Sequence, residues 1–218
     1  MSLILSIETA TQACSVALSY EGKLVACQTL CIERSHAESL LPMIVHLLAM
    51  SPYTKEDLAA IAISEGPGSY TGLRIGVSTA KGLAYGLGTP LLAINTLAAM
   101  ARGVAPYNLG GALLCPMIDA RRMEVYCMIL DATGKEVLVA PHPHVVTENS
   151  CCSWLEERPV LFFGDGAAKC QPVLGGHRHA VFLDDIYPSA QHVGALAYHK
   201  LQQKVFADLA SFEPMYLK

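Results

Sequence analysis

The residues with the clearest potential for chemistry form one run, Glu65-Gly66-Pro67-Gly68-Ser69-Tyr70-Thr71-Gly72-Leu73-Arg74-Ile75-Gly76. An apolar strand expected over Ile61 to Ser64 enters a loop where Gly66 and Gly68 permit positive φ and Pro67 fixes the bend. A helix capped by Ser69 or Thr71 then continues to about Leu87. A bare helix N-terminus favours anions, so phosphate binding is the chemistry to weigh. The run is not a P-loop, because Leu73 and Arg74 follow Gly72 where Lys and a hydroxyl residue would be needed. A tight strand-to-helix crossover is the ligand-free explanation of the same glycines.

Two acids end expected strands, Glu8 in Glu8-Thr9-Ala10-Thr11 and Asp119 in Asp119-Ala120-Arg121-Arg122. Arg121 and Arg122 either contact a phosphate or pair with nearby acids, and exposed pairs of that kind contribute only about 0 to 1 kcal/mol. His142 and His144 flank Pro143 in an expected loop, with no third ligand signalled nearby to complete a metal site. Ser35, Ser39 and Ser69 belong to no His-and-acid arrangement that the sequence fixes, which leaves a hydrolase little support. Gly164-Asp165-Gly166 reads as a tight turn or as a nucleotide contact.

The elements that must position these groups follow from periodicity. Strands are expected over Leu3 to Glu8, Cys14 to Ser19 and Leu24 to Leu30, the last two joined by a turn at Glu21-Gly22-Lys23. A helix from about Ser35 to Met50 is interrupted or restarted at Pro42. It is apolar nearly all round, which argues for two buried sides. Thr54 with Asp57 marks a helix start before the Ile61 strand. The Gly66 run and its helix lead to a strand over Pro90 to Ile94, and Asn95 caps a further helix closed by Gly103 and Pro106.

The order then begins again. Strands are expected over Leu113 to Asp119, Val125 to Asp131 and Glu136 to Val139, with helical segments near Glu148 to Glu157 and Ala167 to Leu174 around a strand at Val160 to Phe163. A last helix runs from Ser189 to about Ala210. Glu8 precedes Gly22-Lys23 by 14 positions and Asp119 precedes Gly134-Lys135 by 15. This internal match predicts two α/β lobes of related topology with a boundary near Pro106 to Gly111.

On the helix from 71 to 87, Leu73, Val77, Ala80, Ala84 and Leu87 make an apolar stripe, and Gly72, Gly76, Ala80 and Ala84 lie four apart beside it. Each interior glycine costs about 1 kcal/mol against alanine, so other backbones are expected to approach this helix closely on more than one side. The chain has 218 residues, 52% of them hydrophobic, and a net charge of −4 with no basic cluster longer than Arg121-Arg122. It is expected to be globular, cytoplasmic and, alone, a poor binder of nucleic acid. The eight cysteines include no Cys-x-x-Cys pair, which favours reduced and mostly buried thiols over a disulfide framework or a zinc site.

Two such lobes, each opening with a strand that ends in an acidic hairpin, resemble the actin, Hsp70 and sugar-kinase (ASKHA) superfamily of ribonuclease-H-like folds. Within it, four segments are similar to the TsaB family. They are the run Gly66 to Gly76, the segment Ser35-His36-Ala37-Glu38-Ser39-Leu40-Leu41-Pro42, the opening Ile7-Glu8-Thr9-Ala10-Thr11, and Asp119 to Tyr126. The tail Pro214-Met215-Tyr216-Leu217 is similar as well.

The resemblance implies a first actin-like lobe over 1–106, completed by 196–218, and a second, smaller lobe over 107–195. It further implies a non-catalytic subunit in tRNA threonylcarbamoyladenosine synthesis, partnered by a TsaD-like transferase and a TsaE-like ATPase, meeting tRNA only through the complex, and forming a homodimer when alone. The expected partner interface is Leu40, Leu41, Ile44, Gly72, Gly76, Val77, Ala80 and Ala84. A nucleotide or junction site would draw on Glu8, Gly66, Gly68, Ser69, Thr71, Arg74 and Asp119. No cofactor of its own is implied, with ATP or ADP at the partner junction.

ATP-cleaving relatives place a glycine soon after each hairpin acid, and neither hairpin here has one. Glu8 also stands where the family shows Asp. The metal-binding sister protein uses two His four residues apart, whereas His36 is followed by Leu40, so no metal is expected. The competing readings are a stand-alone nucleotide-binding ATPase or phosphotransferase using Glu8, Asp119 and the Gly66 to Thr71 loop, and, more remotely, a metallopeptidase.

Overall fold

A computed structural model describes residues 2–32 and 35–217. The chain divides into two units, one made of the residues up to Ala99 with Pro188–Tyr216, the other of Met100–Tyr187 with the extreme C-terminus. The boundaries expected from sequence lie at 106 and 195.

The first unit contains β1 (Leu3–Glu8), β2 (Ala13–Tyr20), β3 (Lys23–Cys31), α1 (His36–Ala49), β4 (Leu58–Gly66), α2 (Tyr70–Leu87) and β5 (Leu91–Asn95). Helix α3 (Thr96–Val104) straddles the division. The strands form one sheet in the order β3-β2-β1-β4-β5. The three-strand meander is antiparallel, and β1, β4 and β5 run parallel.

Central strands covered on both faces need apolar side chains at successive positions. Accordingly Leu3, Leu5 and Ile7 pack with α1 and α2, while Ile4 packs with Val193 and Ala197 from the chain's return.

The second unit repeats this plan with β6 (Leu113–Asp119), β7 (Glu124–Leu130), β8 (Val137–Val145), α4 (Cys152–Glu157), β9 (Val160–Phe163), α5 (Gln171–Leu174) and β10 (Ala180–Leu183). The order β10-β9-β6-β7-β8 matches the first sheet strand for strand. The acidic hairpins occupy equivalent places, after β1 and after β6. The chain returns to the first unit through α6 (Ala190–Gln202), whose first amide, on Ala190, donates to Ser15 Oγ at 2.8 Å.

Several expectations change. Helix α1 runs unbroken through Pro42, so the proline removes one backbone donor without ending the helix. Its buried side carries Leu40, Met43, Ile44 and Leu47, whereas Leu41, Val45 and Met50 are 51%, 66% and 73% exposed. One side is therefore core and the other uncovered. The Thr54 start yields only a short 3-10 turn, Lys55–Asp57.

His142 and His144 lie not in a loop but in β8, an edge strand, where the missing N–H of Pro141 and Pro143 is tolerated. The last helix stops at Gln202. Beyond it the tail runs along the first unit, with Ala207 N donating to Leu91 O at 2.9 Å and Met215 N to Glu65 O at 2.7 Å.

Candidate functional site

The Gly66 run and the first hairpin meet within the first unit. Ser69 is the N-cap of α2, its Oγ accepting from Gly72 N at 3.4 Å, and its own amide donates to Ala10 O at 2.7 Å. A methyl group on Gly68 would stand 2.4 Å from Ala10 O, and one on Gly72 2.2 Å from Thr9 O. On Gly76 it would meet Thr9 Oγ1 at 2.1 Å. The spacing of these glycines thus serves a close contact inside the chain, with backbone at Gly68 and Gly72 and with the Thr9 side chain at Gly76. Gly66, at φ +112°, lies against the carbonyl of Met215, so the C-terminal tail backs the same loop.

Glu8 is fully buried. Its Oε1 accepts from Ala10 N at 2.7 Å and from Ser64 Oγ at 2.8 Å, while Oε2 has no hydrogen-bond partner among the described residues. Burial pushes its pKa up to about 7, against the opposing pull of the Ala10 and Ser64 bonds. The side chain, one methylene longer than aspartate, folds back onto its own turn. There it takes the Ala10 amide that would have to point outward to grip a phosphate.

The second hairpin is closed by similar means. Asp119 Oδ1 accepts from Arg121 N at 2.8 Å and pairs with Lys169 Nζ, which also reaches Glu124 O at 2.6 Å. Ala120 N donates to Glu124 O at 3.0 Å. Arg121 and Arg122 hold φ of 70° and 50°, the left-handed region usually given to glycine, at a cost of about 1–2 kcal/mol per residue. Asp165 of the Gly164-Asp165-Gly166 turn accepts from Asp119 N at 3.1 Å. A methyl group on Gly164 would strike Met117 O at 2.2 Å, so this turn supports the hairpin.

Of the eight residues expected at a partner interface, Leu40, Ile44, Gly72, Gly76, Val77, Ala80 and Ala84 are buried in the chain's own core and only Leu41 is exposed. The residues that periodicity leaves unselected form the accessible surface. On α1 these are Pro42, Val45 and Ala49 beside Leu41. On α2, Ile75, Thr79 and Leu83 are half-buried. Gly82 and Gly86 are exposed, and a methyl group on either would have no atom within 4 Å. The two helices are in contact, so these positions supply apolar and small surface from neighbouring elements.

Thr71, one turn before Ile75, and Arg74 are exposed. The Arg74 guanidinium sits 4.3 Å from the centre of the Tyr70 ring, and its Nε donates to Tyr216 Oη at 3.3 Å. His36 Nε2 bonds Thr11 O at 2.9 Å, a structural tie between α1 and the first hairpin. His142 Nδ1 engages Ala140 O at 2.9 Å, and His144 Nε2 engages Ser150 Oγ at 2.8 Å. Among the described residues, no group of three or more His, Cys, Asp or Glu side chains could hold a metal ion. No helix among them is long and apolar enough to cross a membrane.

Comparison with known proteins adds the family. Residues 30–218 match the family model described as TsaD, tRNA N6-adenosine threonylcarbamoyltransferase. The tRNA threonylcarbamoyladenosine biosynthesis protein TsaB of Escherichia coli K12 is 45% identical over 123 residues, which make up 56% of this chain and 52% of that protein. The chain's match thus spans about half the length of that relative. Its namesake from Bacillus subtilis 168 is 29% identical over 230 aligned positions, covering 99% and 93% of the two chains.

A solved structure described as YeaZ from Pseudomonas aeruginosa superposes with a TM-score of 0.79 at 30% identity, covering both chains completely. The activator of 2-hydroxyisocaproyl-CoA dehydratase from Clostridium difficile superposes at 0.54 with 11% identity over 96% of this chain, which shows the shared actin-like α/β fold. The chain belongs to the tRNA N6-adenosine threonylcarbamoyltransferase family, and its likeness over the whole length is to the TsaB proteins of threonylcarbamoyladenosine biosynthesis.

Proposed function

We propose that this chain is a non-catalytic subunit that supports threonylcarbamoyl transfer to the adenosine beside the tRNA anticodon by pairing with a TsaD-like transferase. The observation that carries this reading is a contrast. Hairpin amides that would grip phosphates are bonded to the chain's own Glu8, Asp119 and Glu124, whereas α1 and α2 leave apolar and glycine positions uncovered.

The match to the transferase family model argues that the partner shares this fold. Two related folds can join through equivalent helices about a pseudo-two-fold axis, and the same surface would let the chain form a symmetric dimer when alone. In this scheme a TsaE-like ATPase joins the pair in the cytoplasm, ATP or ADP binds at the junction, and the chain needs no cofactor of its own.

The test is co-elution of the chain with a TsaD-like transferase in gel filtration. Leu41→Asp with Val45→Asp, or Gly82→Gln alone, is expected to abolish co-elution while leaving the melting temperature within a few degrees. A folded double variant that still co-elutes at wild-type strength would sink the interface. Tight Mg-ATP binding with turnover by the isolated chain would favour the ATPase reading instead.

A further inference from the structure

A groove of about 330 Å³ runs between α2 and the C-terminal tail, with Ser78 on its α2 wall and Phe212 on the tail. Lys81 holds the tail wall in place, its Nζ donating to Phe212 O at 2.9 Å and to Ala210 O at 3.3 Å. At the other end Arg74 and Tyr216 line the groove, and the Tyr70 and Tyr216 rings lie 5.1 Å apart. The Nε bond to Tyr216 is the only hydrogen bond that the Arg74 guanidinium donates among the described residues. A guanidinium carries five N–H donors, so the remaining ones are available to a ligand.

Small-molecule clefts span about 300–1,000 Å³, so this groove has room for a single small ligand. A cation stacked on an aromatic ring, next to a second exposed ring, suits a ligand that is both anionic and aromatic. Glu213 also lines the groove, so two cations are offset by one carboxylate. The balance fits one phosphate better than three. We propose that the groove binds a nucleoside 5′-monophosphate unit, its base against Tyr216 and its phosphate on Arg74. This unit is either a free nucleotide or one residue of a single-stranded RNA. The proposed pairing surface adjoins the groove, since Ser78 stands one turn before Gly82 on α2, so the chain without a partner is the form in which the groove is tested.

The isolated full-length chain tests it directly. AMP and ATP are titrated calorimetrically, and a fluorescein-labelled single-stranded hexaribonucleotide is followed by anisotropy. Saturable one-site binding of AMP, no weaker than that of ATP, is expected. Arg74→Met should weaken it about tenfold. Ser78→Tyr fills the groove without touching the tail anchors, so it should weaken binding at least as much with an unchanged melting temperature. RNA binding that AMP competes away would identify a nucleotide within a chain, and AMP binding without RNA binding a free nucleotide. No saturable binding of either probe, or wild-type binding by Ser78→Tyr, would overturn the proposal.

Discussion

Glu8 sets the chemistry of the first hairpin at the scale of a single residue. A carboxyl group with no solvent exposure, one bonded oxygen and one orphan oxygen is held more readily as the neutral acid, and its pKa rises from 4.5 to about 7. The native state then binds its proton more tightly than the unfolded chain does. The associated stability is complete below pH 4.5 and is lost as pH rises through about 7. The shift corresponds to about 3 kcal/mol at one unit per about 1.4 kcal/mol.

Glu8→Gln should therefore unfold at higher urea concentration than the wild type at pH 8, by about 1–3 kcal/mol, with the advantage vanishing near pH 4.5. A variant less stable at pH 8 than at pH 5, relative to wild type, would show that the acid is ionised in the fold. That this side chain closes its own hairpin is not legible in the sequence. Only the position of an acid at a strand end is, because the fold-back depends on Ser64 arriving from β4. Arg121 shows the same limit, since its positive φ follows from the closed hairpin and not from residue type. Arg121→Gly should be neutral or stabilising by about 1 kcal/mol in chemical denaturation.

At the scale of elements, α2 separates two kinds of glycine that look alike in sequence. Gly72 faces the Thr9 carbonyl, and a methyl group there would stand 2.2 Å from a backbone atom. Gly72→Ala should cost about 3 kcal/mol or more. Gly82 faces open space, so Gly82→Ala should raise stability by about 1 kcal/mol. Thermal melts of the two variants compare these effects within one helix. Equal destabilisation by both would contradict the packing of α2 on the first hairpin.

The helix itself is legible from its apolar stripe and from the pair Ser69 and Thr71 at its start, of which Ser69 is the cap, while its end at Gly88, with φ 64°, is seen only in the structure. Which flank meets the core is not, because small and apolar residues lie on several sides. The full length of β8 is hidden because Pro141 and Pro143 resemble loop residues. β10 leaves no signal because it is only Ala180–Leu183, none of it fully buried.

For the whole molecule, the repeated strand order is foreshadowed by the matched acid-to-Gly-Lys spacings, since each marks a first strand followed by a hairpin. The chain's return is harder to place, because α6 belongs to the first unit entirely while its sequence adjoins the second. The proposed function also belongs to this scale, since it sets turns closed on the chain's own Glu8, Asp119 and Glu124 against uncovered positions on α1 and α2.

The most direct test is reconstituted threonylcarbamoyl transfer to tRNA, with the transferase and ATPase partners supplied and this chain varied. The combination Glu8→Gln with Asp119→Asn should retain product formation within about threefold, and Leu41→Asp with Val45→Asp should lose it by tenfold or more, an energy of about 1.4 kcal/mol. Loss of product with the first pair and full activity with the second would place the work in the hairpins and contradict a role through the helices.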